Sequence, residues 1–165
     1  MAEWLEFVLL AMLIGIGATI IMDLWAIFLK RFFDIKSLDY CMLGRWLGHF
    51  SQRRFSHNSI GQATKVNGEC TIGWTAHYTI GIAFSFLLLI IWGLNWAHQP
   101  TLLPALIIGI ITVAAPFFLL QPGMGAGIAA SNTPKPNVSR LLSIAAHSAY
   151  GIGLYLSALF LKLLI

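Results

Sequence analysis

The chain has 165 residues, of which 58% are apolar and only 10% charged, against roughly 25% charged in a soluble globular domain. So few charges cannot cover the surface of a soluble fold, which excludes that class and points to an integral membrane protein. The formal charge of +4 comes from ten Lys and Arg against six Asp and Glu, and its distribution along the chain matters more than its sum. Two cysteines, Cys41 and Cys70, are too few for a disulfide framework and lack CxxC spacing.

Four stretches can cross a hydrocarbon core of roughly 30 Å, which takes about 20 helical residues. They are predicted near residues 4–29, 72–97, 102–120 and 141–165 of one four-helix transmembrane domain. The first has Glu3 and Glu6 on its amino-terminal side with no Lys or Arg, and its apolar run is long. It therefore reads as a retained span and not as a signal peptide. The joint at 30–71 holds Lys30, Arg31, Lys36, Arg45, Arg53, Arg54 and Lys65, seven of the ten basic residues. A tight turn containing His98 and Pro100 joins spans two and three, and the joint near 121–140 carries Lys135 and Arg140. Counting positive charge places both longer joints in the cytoplasm and both termini on the outer side. The basic balance is then a topology signal, and no nucleic-acid partner is expected.

Within the first joint, Leu43, Trp46, Leu47 and Phe50 recur at helical spacing behind Ser37, a plausible N-cap, and Asp39. This predicts a short amphipathic interfacial helix over about 38–51. Arg45, Arg53 and Arg54 would be turned towards anionic lipid headgroups of the bilayer.

Spans two and four both contain A-H-x-x-x-G-I, at Ala76-His77 to Gly81-Ile82 and at Ala146-His147 to Gly151-Ile152. Spans one and three correspond more loosely, with Gly15-Ile16 beside Gly109-Ile110. The expected fold class is thus an all-α integral membrane protein with four transmembrane helices arranged as two tandem parallel helix pairs.

An ionisable side chain within a span is costly and marks a functional site by default. Asp23, His77 and His147 fall at similar depth near the cytoplasmic side of three spans. Glu69 lies at the rim on the same helical face as Gly73 and His77. Two imidazoles with one or two carboxylates suit a transition metal, Zn²⁺ or non-haem iron. In that reading Asp23, His77, His147 and Glu69 are the metal ligands, Glu69 doubles as a candidate general base, and His49 and His57 are accessory groups. The protein would then be a membrane-embedded metalloenzyme or redox protein acting on a lipidic or small apolar substrate. Three alternatives stand beside it. His77 and His147 could be axial ligands of a b-type haem. Asp, Glu and His could relay protons for a small-molecule or ion transporter, which with four spans would need a homo-oligomer. The cluster could also simply pin helix packing. Gly123-Met124-Gly125-Ala126-Gly127 lacks the Lys-Ser/Thr of a phosphate loop and reads as a tightly packed turn next to Gln121, while Pro116 predicts a kink in span three.

Several segments together resemble a family of small bacterial inner-membrane proteins catalogued only as a domain of unknown function. They are Met22-Asp23-Leu24, Gly44-Arg45-Trp46-Leu47-Gly48-His49, Phe55-Ser56-His57, Gly68-Glu69, Gly73-Trp74-Thr75-Ala76-His77-Tyr78, Gln121 through Gly127, and Ala146-His147 with Gly151. The resemblance covers nearly the whole chain. It implies a four-span protein of a bacterial inner membrane and carries no activity with it.

Overall fold

The structure is a computed structural model that describes residues 2–164. Among the described residues there is no strand. Six α-helices follow in order: α1 (Ala2–Phe33), α2 (Tyr40–Gly48), α3 (Glu69–His98), α4 (Leu102–Ile111), α5 (Gln121–Met124) and α6 (Pro136–Lys162). Four stretches are long and apolar enough to cross a membrane: Glu3–Phe33, Glu69–His98, Leu102–Met124 and Pro136–Lys162. The third is not one regular helix. After α4 the chain turns, and Pro116–Leu120 runs as a π-helix before α5. Pro116 has no N–H to give and forces this break where the kink was expected. Similarly, α3 is interrupted at Gly93, whose φ of 73° lies in the left-handed region that glycine tolerates.

The chain divides into two compact units. The first contains the chain up to residue 36, then 78–112, then from 145 onward; the second contains 37–77 and 113–144.

In the first unit Ile14, Leu88, Leu89, Ile108 and Leu154 are fully buried and form the apolar centre. The helices meet through glycine. A Cβ on Gly15 would sit 2.6 Å from Ile82 Cα and 3.2 Å from the Gly81 carbonyl. A Cβ on Gly109 would sit 2.8 Å from Gly151 Cα. Gly15 with Gly81 and Gly109 with Gly151 are the pairs that the sequence repeat matches to each other. The repeat thus has a structural meaning: each helix pair, α1 with α3 and α4 with α6, crosses at equivalent small residues. The Tyr150 hydroxyl ties α6 to α3 by donating to the Gly81 carbonyl at 2.6 Å. Glu6 and His98 pair at 3.1 Å, so the start of α1 lies beside the end of α3 and the two run antiparallel.

The second unit joins α2, a 3₁₀ turn at His49–Gln52, another at Ile60–Gln62, the first turns of α3 and the glycine-rich stretch around α5. Asp39 caps α2, its carboxylate accepting from the Cys41 N–H at 2.9 Å.

Candidate functional site

In the second unit α2 and α3 cross in backbone contact. A Cβ on Gly44 would strike the Glu69 carbonyl, and one on Gly73 would strike the Tyr40 carbonyl. Cys41 and Cys70 are joined as a disulfide at this crossing, with Cα atoms 3.9 Å apart. The face of α3 that carries Glu69, Gly73 and His77 is therefore one face, as the spacing predicts, but it is covered by α2. The His77 ring stacks on Tyr40 with centroids 3.9 Å apart, and Trp74 meets both rings edge-on.

Arg45 corrects the expectation of a lipid-facing cation. It is only 7% exposed and grips Glu69 with two hydrogen bonds, Nε to Oε2 at 2.9 Å and Nη2 to Oε1 at 2.8 Å. Its Nη1 donates to the carbonyls of Ile60, Gly61 and Ala63 at 3.1, 3.3 and 3.4 Å. Bonded in this way to the Glu69 carboxylate, the guanidinium is held above its ordinary range. Glu69 Oε2 also accepts from the Val66 N–H at 3.0 Å. A carboxylate so engaged serves as the counter-ion of Arg45, which removes the physical basis for making it a general base. Arg53 and Arg54 are exposed, as contact with headgroups requires.

His49 and His57, expected as accessories, are brought together. Both are buried, and His49 Nδ1 lies 2.7 Å from His57 Nε2. The Gly123 carbonyl accepts from the His57 backbone N–H at 2.9 Å and lies 3.4 Å from its Nδ1. A carbonyl only accepts, so the tautomer of His57 that bonds Gly123 is the one protonated on Nδ1. In a neutral ring Nε2 then receives the Nδ1–H of His49. Gly123 itself packs against the Trp46 indole, which donates to the Phe55 carbonyl at 2.9 Å. The glycine-rich stretch is thus a packed turn that closes over the imidazole pair.

In the first unit the Tyr78 hydroxyl donates to Asp23 Oδ2 at 3.0 Å. His147 Nδ1 lies 3.1 Å from Thr112 Oγ1. That hydroxyl donates to the Gly109 carbonyl at 2.8 Å, so it accepts from a protonated Nδ1. A groove of about 470 Å³ between α1 and α6, lined by residues such as Leu13, Ile20 and Phe160, includes none of the nominated side chains.

Among the described residues no group of three or more His, Cys, Asp or Glu side chains could hold a metal ion. His77 stacks on Tyr40, and His147 lies against Thr112. Sequence reasoning missed Tyr40, Thr112 and the disulfide. One signal for the last was available: Cys41-x-x-Gly44 and Cys70-x-x-Gly73 share a spacing, and each cysteine is the second residue of its helix.

A helical protein with four membrane-spanning segments, polar groups paired within its apolar bundle and a compact unit built from its joints is the class defined here. The chain belongs to the family described as "Protein of unknown function (DUF2938)", which it matches over residues 12–161. No curated protein and no solved structure matches it.

Proposed function

We propose that the protein is a proton-linked membrane carrier of a small solute or ion, with Asp23 as its proton-bearing group and the basic joint on the cytoplasmic side of a bacterial inner membrane. The observation that carries this reading is the Tyr78 hydroxyl on Asp23 Oδ2 at 3.0 Å. A hydroxyl both donates and accepts, so it can stay bonded to the carboxylate and to the carboxylic acid. Asp23 can then change protonation inside a span without losing that partner. The hydroxyl of Thr112 stands in the same relation to His147. The repeat supplies the scaffold but not the acid: the register that aligns Gly15 with Gly109 carries Asp23 to Phe117, and that aligning His77 with His147 carries Tyr78 to Ser148. An acid that packing symmetry does not call for, in a medium that penalises it, supports a working role. Four spans enclose little, so the solute path is assigned to a homo-oligomer.

Liposomes holding the purified chain and an internal pH-sensitive dye test this. Under an imposed gradient the protein collapses the pH difference faster than empty liposomes do. Asp23→Asn returns the rate to the empty level, and Tyr78→Phe slows it roughly tenfold, the loss of one hydrogen bond to a charged group. Rates indistinguishable from empty liposomes overturn the reading. Stoichiometric Zn or Fe that disappears in His77→Ala and His147→Ala would replace it with the metalloenzyme, and a Soret band with the haem protein.

A further inference from the structure

The geometry points to Cys41–Cys70 as an exchange-active disulfide that a dithiol reduces at the cytoplasmic face of the membrane. The inference rests on the orientation proposed above and is independent of proton transfer. Four observations carry it. The two sulfurs are bonded at the α2–α3 crossing. Cys70 is exposed and Cys41 half-buried, so Cys70 is the more open of the two residues. Each cysteine is the second residue of a helix of nine residues or more, where the helix dipole favours a thiolate. Finally, nine of the ten basic residues lie in the two longer joints or at their edges. That places the pair on the side where dithiols keep static disulfides from persisting.

At Cys70 the nearby acid does not cancel the effect of the helix end. Glu69, next to Cys70, is neutralised by the two hydrogen bonds from Arg45. Asp39, near Cys41, is turned onto the Cys41 backbone N–H. Reduction then runs in two steps. A thiolate of the external dithiol attacks Cys70 Sγ, the Cys41–Cys70 bond breaks, and Cys41 leaves as a thiolate. The second thiol of the reductant attacks its own sulfur in the mixed disulfide and releases Cys70. The protein disulfide gains two electrons and two protons, and the dithiol becomes a disulfide. The crossing itself is held by the Gly44 and Gly73 contacts and by Arg45–Glu69, so the pair can cycle without dismantling the unit.

The test uses the full chain in membranes of growing cells. Ser51→Cys in a chain lacking both native cysteines first reports the side of the joint: blocking by a membrane-permeant maleimide only, and not by an impermeant one, is expected. The native pair is then titrated after acid quenching. Two thiols are expected in growing cells, none after a thiol oxidant, and two again after dithiothreitol without denaturant. Thiols that no oxidant joins, or a disulfide that dithiothreitol leaves intact, overturn the inference while the orientation stands. Labelling of the reporter by the impermeant reagent overturns the orientation and the inference together, the disulfide then being one that an oxidising compartment maintains. In detergent, Cys70 of Cys41→Ser should react with an aromatic disulfide about tenfold faster than Cys41 of Cys70→Ser; an equal or inverted ratio overturns Cys70 as the attacked sulfur.

Discussion

Arg45 and Glu69 were nominated for different tasks, headgroup contact and metal ligation, and the fold gives them to each other. The two parallel N–H···O bonds match a guanidinium to a carboxylate, and three loop carbonyls take up the remaining donor. Removing one partner strands a desolvated ion, whereas replacing both with apolar groups does not. Glu69→Ala is therefore expected to lower the unfolding midpoint in detergent more than the double replacement Arg45→Met with Glu69→Leu does, and thermal denaturation of the three proteins checks the order. The imidazole pair follows similar logic. His57→Leu leaves His49 Nδ1 buried without its partner and should cost about 1–3 kcal/mol, measured by denaturant titration. What could be read at this scale was depth and residue type. Asp23, His77 and His147 stand out because ionisable groups are rare in apolar runs. Their partners could not be read, since each choice depends on a helix rotation that spacing leaves free. A turn of α3 decides whether Glu69 meets a metal or Arg45.

At the scale of elements, the long helices were legible because twenty apolar residues in succession have one stable solution in lipid. The glycine repeat was legible too, and it yields a quantitative expectation. Gly15→Val and Gly109→Val push backbone against backbone at equivalent crossings, Ile82 Cα for the first and Gly151 Cα for the second. Each should destabilise the protein by about 1–3 kcal/mol, and by similar amounts, in a steric-trapping measurement of unfolding. Unequal costs would mean that the two crossings are not equivalent. The interfacial helix was legible as an element but not in its facing. Its apolar stripe suggests Leu43, Trp46 and Leu47 against lipid with Arg45 towards the headgroups, yet Leu43 and Arg45 are both buried, as is His49 just beyond. A pattern argument offers polar side chains only water or headgroups. Here the carbonyls of Ile60, Gly61 and Ala63 and the ring of His57 provide a polar interior, which comes from residues distant in sequence and leaves no trace in the helix itself.

At the scale of the whole molecule, charge sets the orientation and the fold sets which charges remain outside. Lys30, Arg31, Lys36, Arg45, Arg53, Arg54, Lys65, Lys135 and Arg140 belong to the two longer joints or their edges, against Lys162 near the other end of α6. Arg45 is spent inside the second unit on Glu69, and Arg140 donates to the Ala129 carbonyl at 2.8 Å. Arg53 and Arg54 remain exposed, so orientation and headgroup contact, which the sequence presents as one role, can be tested apart. Orientation counts cations during insertion whatever their later partners, so Arg53→Gln with Arg54→Gln still leaves seven against one and should not invert the chain. Lipid contact counts only cations that remain at the surface. At about 1 kcal/mol for each such cation, the same double replacement should weaken retention of anionic lipid by roughly thirtyfold. A carboxyl-terminal reporter fusion reads the first effect and native mass spectrometry of lipid adducts the second. An inverted chain would show that these two arginines set the topology, and unchanged lipid retention would show that the headgroup contact lies elsewhere.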